Sequence, residues 1–123
     1  MERDVFEKIV ECAFDRLPEN FKEGIDNVGI VVEDYPSDEI IQKMGLASRN
    51  SLLGLYQGVP RPFRNTWYGT SPVVPDRISI YKRNIEMHHQ TDEEIERAIY
   101  NVLIHEIGHY FGMSEEEIRS AGY

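Results

Sequence analysis

Two histidines four residues apart, with a glutamate directly after the first, form the segment of this sequence best suited to chemistry. They are His105, Glu106 and His109, in the stretch VLIHEIGHYFGMSEEEI at 102–118. Residues i and i+4 are neighbours on one face of an α-helix, roughly 5–6 Å apart at Cβ, so both imidazoles can point at one ion. Zinc accepts imidazole nitrogen in tetrahedral sites. The spacing therefore predicts one bound zinc ion with His105 and His109 as ligands.

The glutamate between the two histidines has a different predicted role. Glu106 is adjacent to His105 in sequence but turned away from it around the helix, so it is not expected to bind the same ion. Catalytic zinc sites keep one coordination position for water, and a nearby carboxylate can take a proton from that water. We therefore predict Glu106 to be the catalytic general base.

A catalytic zinc site needs a third protein ligand, and three glutamates follow the motif at 115–117. Only 14 residues follow His109, so we expect this ligand to return through a sharp chain reversal. Gly112 can adopt the left-handed conformation that ends a helix in this way. Counting through H-E-x-x-H-x-x-G-x-x from His105 reaches Glu115, which is the predicted third ligand.

Glu116 and Glu117 compete with Glu115 for this role. Ser114 and Glu117 have the spacing of a capping box, in which Glu117 would cap the last helix and Glu115 would be its first residue. Glu116 stays open as an alternative ligand. A plain alternative to the metal site is a charged helix with two solvated histidines, whose glutamates only stabilise its first turn.

The motif continues a long predicted helix that spans 91–112. Thr91 and Glu94 have capping-box spacing, and acidic residues fill the first turn. Its apolar residues recur at helical spacing and predict the face that packs on the rest of the protein. They are Ile95, Ala98, Ile99, Val102, Leu103 and Ile107.

A second amphipathic helix is predicted near the start of the sequence, in DVFEKIVECAFDRLP at 4–18. Asp4 is its expected N-cap. Its expected buried stripe is formed by Val5, Ile9, Cys12, Ala13 and Leu17. Cys12, the only cysteine, is therefore expected to be a buried and inert thiol.

Three segments rich in β-branched and aromatic residues predict strands at 28–36, 52–60 and 76–82. Ser37 and Gly45 have the types that begin and end a short helix between the first two. A long loop at 59–75 separates the last two, and its Trp67 and Tyr68 either line a substrate groove or seal the core.

Composition predicts a single globular domain over residues 1–123. Apolar residues make up 41% and charged residues 28% of the chain, as in ordinary soluble proteins. No secretory signal or membrane span is expected, and the lone cysteine agrees with a reducing compartment, so we expect a cytoplasmic protein without a membrane partner. The net charge of −9 would repel a phosphate backbone, so nucleic acid is not an expected partner.

The stretches LLGLYQGVP, PDRISIY and VLIHEIGHYFGMSEEEI together resemble the small bacterial zincin-like metallopeptidases, also described as minimal metalloproteases. The resemblance implies an α/β (α+β) fold with a compact zincin-like core, in which a small mixed sheet packs against the zinc-motif helix. It also implies that His105, His109 and Glu115 are the metal ligands and Glu106 the catalytic residue. Aspartate is usual in that family where this chain has Glu115.

These observations predict a zinc metallopeptidase that acts on a peptide or protein substrate, with the RISIYK strand as a possible edge for pairing with an extended substrate. Tyr81 or Tyr110 could stabilise an oxyanion, although packing is the simpler role for both. The alternative is a non-catalytic, zinc-stabilised binding or regulatory module. A small metal-dependent nuclease is less favoured, because Arg61 and Arg64 make no basic track. His88 and His89 are expected in an exposed loop, outside the site.

Overall fold

The computed structural model describes residues 1–63 and 76–123. This part of the chain contains helices at both ends and three strands between them, which confirms the predicted mixed α and β architecture. In chain order the elements are α1 (Arg3–Asp15), α2 (Glu19–Gly24), β1 (Val28–Glu33), α3 (Asp38–Met44), β2 (Gly54–Gln57), a 3-10 turn (Arg61–Phe63), β3 (Asp76–Tyr81), α4 (Lys82–His88), α5 (Asp92–Tyr110) and α6 (Glu115–Ser120).

The three strands form one mixed sheet in the order β1-β3-β2. β1 runs parallel to β3, with Val28 opposite Asp76, and β2 runs antiparallel to it, with Gly54 opposite Ile80. β3 is therefore the central strand, and both of its edges are already paired. The prediction that the RISIYK strand could offer a free edge to a substrate is wrong for this reason.

Helix α5 packs across β2 and β3 and against α1, so the helix with the histidine motif covers the sheet as predicted. Its predicted apolar face is buried, except that Val102 is only half-buried. Each fully buried aliphatic side chain contributes about 1.5–3 kcal/mol to this packing. The most deeply buried apolar residues of this core are Phe6, Ile78, Ile80, Ile85, Ile99, Leu103, Ile104 and Ile107.

Helix α1 differs from its prediction in its cap and in its buried face. Glu2, rather than Asp4, is the N-cap residue. The side chains that point inward are Phe6, Val10, Ala13 and Leu17, whereas Val5 is 48% exposed and Cys12 is exposed. The helix is thus rotated by about one residue, because turning Phe6 inward buries more apolar area than turning Val5 inward. The prediction of a buried Cys12 thiol is wrong.

The predicted ends of α3 and the predicted N-cap of α5 are confirmed by their hydrogen bonds. The capping box predicted for Thr91 and Glu94 is only half formed, because Glu94 Oε2 accepts from the Gln90 amide at 2.9 Å. Ser37 Oγ accepts from the Ile40 amide at 3.3 Å, and Gly45 closes α3 with a positive φ of 64°. Thr91 Oγ1 accepts from the Glu94 amide at 3.1 Å at the start of α5. Local side-chain bonds of this kind depend on a few consecutive residues, so the sequence predicts them well.

The sequence analysis did not predict the short helices α2 and α4. The predicted loop position of His88 is wrong, because this residue ends α4, although its predicted exposure is confirmed. His89 follows it, and its Nδ1 lies 2.8 Å from the carbonyl oxygen of Ile85. Helices of six or seven residues are too short to show a clear apolar period in sequence.

Part of the predicted 59–75 loop lies outside the described residues, including Arg64, Trp67 and Tyr68. Residues 61–63 form a single 3-10 turn. None of the helices in the described ranges is long and apolar enough to cross a bilayer.

Candidate metal centre

Helix α5 carries both histidines of the motif on its half-exposed face. The 19-residue helix is anchored by buried residues on its other side, among them Ile104 and Ile107. The side chains of His105 and His109 are 28% and 32% exposed, respectively. One turn of helix separates them, so their imidazoles lie on the same side of α5. Both can therefore be reached from solvent.

The chain reverses direction immediately after α5. Gly112 has a φ of 80°, as predicted from its position. Its amide donates to the His109 carbonyl at 2.9 Å, and the Met113 amide donates to the Gly108 carbonyl at 3.0 Å. These two bonds form a Schellman motif, which satisfies the last carbonyls of the helix and turns the chain back.

The reversal is followed by a complete capping box at the start of α6. Ser114 Oγ accepts from the Glu117 amide at 3.1 Å, and Glu117 Oε1 accepts from the Ser114 amide at 3.2 Å. Glu117 is thus occupied as a cap, which confirms that part of the prediction. Glu115 becomes the first residue of α6 and faces back toward α5.

Glu115 is the glutamate that reaches both imidazoles. Its Oε1 lies 3.0 Å from His109 Nε2, and its Oε2 lies 3.5 Å from His105 Nδ1. Glu116 is exposed, and no described contact links it to either histidine. The carboxylate therefore bridges the two rings across the gap between α5 and α6.

The contact of His109 Nδ1 indicates which of the two ring nitrogens carries the proton. Nδ1 lies 3.1 Å from the Met113 carbonyl oxygen, which can only accept, so Nδ1 carries a proton. In the neutral ring, Nε2 then presents its lone pair toward Glu115. Two such electron-rich atoms 3.0 Å apart need a proton or a metal ion between them.

The donor chemistry of this cluster fits a metal ion, although its geometry is that of a hydrogen-bonded pair. In the described ranges 1–63 and 76–123, no group of three or more His, Cys, Asp or Glu side chains has a metal-binding arrangement. In a tetrahedral zinc site with bonds of about 2.0–2.2 Å, ligand atoms lie roughly 3.3–3.6 Å apart. The 3.5 Å separation of Glu115 from His105 falls in that range, whereas the 3.0 Å separation of Glu115 from His109 is shorter. Metal binding by His105, His109 and Glu115 stays a prediction.

Glu106 is held by the backbone of the neighbouring strand. Its Oε1 accepts a hydrogen bond of 2.8 Å from the Tyr56 amide. Burial raises the pKa of Glu106 above its ordinary value, and the charge of Glu115 acts in the same direction. The nearby histidines and the Tyr56 bond act against this rise. A carboxylate with a raised pKa in a cleft is suited to proton transfer near neutral pH.

An open groove of about 290 Å³ is lined by His105, Glu106 and Glu115. One wall is formed by Leu52, Leu53 and Gly54 at the start of β2. The other is formed by α5 and α6 and includes Asn101, Val102, His105, Glu106 and Glu115. The sequence analysis did not identify the first wall as part of the site.

Gly54 is the sequence signal that could have revealed this wall. A Cβ at Gly54 would collide with Cγ1 of Val102 and lie 3.5 Å from Cγ of Glu106. A glycine inside a strand often marks the close approach of another element. Here it allows β2 to lie directly against α5.

Neither tyrosine considered for oxyanion stabilisation contributes a hydroxyl to this groove. Tyr110 is fully buried, and its hydroxyl accepts from the Asp26 amide at 2.9 Å. Tyr81 is also fully buried, at the end of β3. Packing is thus the role that the structure gives both residues.

Comparisons with known proteins bear on the fold and the family of this chain. No curated protein matches the chain. A solved structure of a conserved hypothetical protein from Thermus thermophilus is similar, with a TM-score of 0.58 and 21% identity over 90% of this chain and 94% of the other. At that identity the likeness concerns the fold alone. The profile described as zincin-like metallopeptidase matches residues 25–123, which include the sheet, the histidine motif and α6. The chain therefore belongs to the zincin-like metallopeptidase family.

Proposed function

We propose that this protein is a zinc-dependent peptidase in which His105, His109 and Glu115 hold one zinc ion and Glu106 is the general base. The observation that carries the proposal is the approach of Glu115 to both imidazoles, at 3.0 and 3.5 Å, beside a groove that also contains Glu106. Membership of the zincin-like family supports a peptidase activity.

The proposed chemistry divides between the metal and Glu106. Zinc in such a site acts as a Lewis acid and makes water a nucleophile near neutral pH. Glu106 Oε1 is held by the Tyr56 amide, which leaves Oε2 to accept the proton of the attacking water. Glu106 then returns this proton to the leaving amine, and its raised pKa suits both transfers.

The proposed substrate is a peptide or protein segment in extended conformation. Within the described residues, β2 is an edge strand of the sheet and lies beside the groove. The Tyr81 amide bonds to the Leu53 carbonyl at 3.0 Å, so the backbone groups of alternate residues face β3. The backbone amide and carbonyl of Gly54 then face away from β3, as does the Tyr56 amide two residues later, which donates to Glu106. An extended peptide can pair with the backbone groups of Gly54.

The decisive experiment measures peptide hydrolysis by the zinc-loaded protein. A diverse peptide mixture is incubated with wild type, Glu106→Gln and the control Glu116→Gln, and products are read by mass spectrometry. We expect the Glu106 variant to lose about 10²–10⁴-fold in rate, as for the loss of a general base. The control should keep the wild-type rate. Equal rates for wild type and Glu106→Gln would reject the proposal.

The second candidate is a non-catalytic, zinc-stabilised binding or regulatory module. It is favoured by the position of Glu115, because an ion shared by this residue and the two histidines would also fasten α6 to α5. Its signature is one zinc per chain and a zinc-dependent rise in melting temperature, without hydrolysis of any peptide by wild type.

We further propose peptides, rather than nucleic acids, as the partners of this groove. The net charge of −9 opposes binding of a phosphate backbone. Affinity for RNA that falls with rising salt would contradict this.

A further inference from the structure

Asn84 is a fully buried polar residue outside the candidate metal centre. It lies on α4, immediately after the central strand β3. Its Nδ2 donates two hydrogen bonds of 2.7 Å, one to the carbonyl oxygen of Arg49 and one to that of Leu52. Since both neighbours are carbonyls, the amide can be oriented in only one way.

These two bonds fix the segment that becomes the wall of the groove. Leu52 and Leu53 line the groove opposite Val102, and β2 begins at the next residue. The Leu53 carbonyl is held separately by the Tyr81 amide at 3.0 Å. The wall is thus hydrogen-bonded, on the side away from the groove, to the β3–α4 junction. Among the described residues, Asn84 supplies the only side-chain donors between the two.

The amide oxygen of Asn84, Oδ1, indicates that this side chain does more than fill space in the core. No hydrogen bond reaches its Oδ1 among the described residues, although the atom is buried. A buried acceptor without a partner costs free energy, whereas a leucine of the same branched shape would avoid that cost. The benefit of an asparagine at this position therefore lies in its two donated bonds.

We propose that Asn84 is a positioning residue that fixes the Leu52–Leu53 wall at the distance from α5 required to seat a substrate. The catalytic part of this inference rests on the proposed peptidase function. The structural part, the immobilisation of residues 49–57 by Asn84, does not. Substrate binding should therefore depend on Asn84, although this residue touches neither the metal ligands nor Glu106.

The test compares Asn84→Leu with the control Ile85→Val. Leucine keeps the branched shape of the side chain and removes both donors, whereas Ile85 is equally buried on α4 and faces the core. Should Asn84→Leu fail to fold, Asn84→Ala also removes both donors and serves as the second variant. Hydrogen exchange of residues 49–57 is measured first, because it needs no enzymatic activity.

We expect amides in this segment to exchange roughly tenfold faster or more in the Asn84 variant than in the control. The KM for a peptide cleaved by wild type should rise on the order of tenfold, and kcat should fall by less. The wall at 52–53 binds the substrate and is loosened most, whereas the Tyr56 amide that bonds to Glu106 is also held in place by the pairing of β2 with β3. Zinc affinity should stay at the wild-type value. A merely structural role would lower stability and leave KM unchanged.

Unchanged exchange in residues 49–57 would overturn the positioning role, whether or not the protein is a peptidase. Faster exchange without any change in KM would overturn the link to substrate binding. If wild type and Glu106→Gln are equally inactive, the proposed peptidase function fails, and the exchange measurement alone decides whether Asn84 holds the wall.

Discussion

The backbone amide of Tyr56 donates a hydrogen bond of 2.8 Å to Oε1 of Glu106, and this bond joins strand β2 to helix α5. The two residues are 50 positions apart in sequence. Because one end of the bond is backbone, the carboxylate is oriented by the position of the strand and not by another side chain. The spacing between β2 and α5 therefore controls the orientation of the proposed general base.

Replacing Gly54 should disturb this spacing. In Gly54→Ala, the new methyl group would collide with Val102 and lie 3.1 Å from the Ser79 carbonyl oxygen, so β2 must move. We expect a loss of about 1–3 kcal/mol in the free energy of unfolding, as for other overpacked sites. Peptide hydrolysis should also fall, because the Tyr56 bond to Glu106 is lengthened. Urea unfolding and steady-state kinetics measure the two effects.

Gly29→Ala is the matched control for this strand substitution, because its methyl group would meet nothing closer than 4.0 Å. It should leave both measurements near wild type. Trimming Val102 to alanine in the Gly54→Ala background should recover part of the stability, which a double-mutant cycle reports as coupling. If the changes in unfolding free energy of Gly54→Ala and Val102→Ala simply add, the close approach of β2 to Val102 is not the cause of the lost stability.

The glycine at the chain reversal should matter for metal affinity as well as for stability. Gly112→Ala places a methyl group at a φ of 80° and 3.0 Å from Cγ of Pro62. The left-handed backbone costs about 1–2 kcal/mol for a residue with a side chain. Since Glu115 follows directly on this turn, we expect zinc affinity measured by calorimetry to fall too.

Gly45→Ala separates the two effects, because Gly45 also ends a helix at positive φ, 64°, but has open space around it. It should lose a similar amount of stability and keep the wild-type zinc affinity. A Gly112 variant that binds zinc as tightly as Gly45→Ala would contradict the link between the reversal and the third ligand.

Removing the third ligand should weaken zinc binding more than removing its neighbour. Glu115→Ala deletes the carboxylate that contacts both histidines, whereas Glu116→Ala deletes an exposed one. Loss of a group that only supports a ligand costs about 10–100-fold in affinity, so a direct ligand should cost at least that much. Zinc content after gel filtration and competition with a chromophoric chelator measure the change. Full zinc retention in Glu115→Ala would remove this residue from the site.

An acid-sensitive contribution to stability is expected away from the metal centre, at Glu86. Burial alone would raise its pKa, but hydrogen bonds from the amino group of Met1 at 2.9 Å and from Lys82 at 3.1 Å outweigh burial. The pKa of Glu86 is therefore below its ordinary value of 4.5. In the folded protein the carboxyl group releases its proton more readily than in the unfolded chain.

The sign of the pH effect follows from this difference. The stabilisation by Glu86 is fully present above the unfolded pKa and is lost as the pH falls through the folded pKa, because the unfolded state binds more protons there. The free energy of unfolding is measured in urea with a chelator present. Glu86→Gln should lower it near neutral pH and make it fall less steeply with decreasing pH below the ordinary pKa of the carboxyl group. Glu7→Gln, in an ion pair with half-exposed Arg3, should leave the profile unchanged. If Glu86→Gln loses stability at low pH as steeply as wild type, Glu86 is not the source of the acid sensitivity.

Local features of the candidate site were predictable from sequence because each depends on a few consecutive residues. The i, i+4 spacing puts His105 and His109 on one face of α5. The helix-ending Gly112 and the capping box of Ser114 and Glu117 then bring Glu115 back beside them. Hydrogen bonds within a single turn decide each of these steps.

Features that depend on packing between distant segments were not predictable in this way. The buried face of α1 was predicted one residue away from its actual position. Two neighbouring stripes of this helix are apolar, and only its packing against α5 decides which of them is buried. The central place of β3 was missed as well, since a strand pattern does not say which strands will flank it.

The sequence by itself thus determined which groups could bind a metal and that α5, the reversal and α6 carry them. Only the tertiary structure decided what lies opposite them: the Leu52–Leu53 wall, the Tyr56 amide on Glu106 and the Asn84 bonds behind the wall. The physical reason is the sequence separation of the residues that interact. Helix spacing and caps are set by bonds between near neighbours, whereas a groove exists only once strands and helices from distant parts of the chain have packed together.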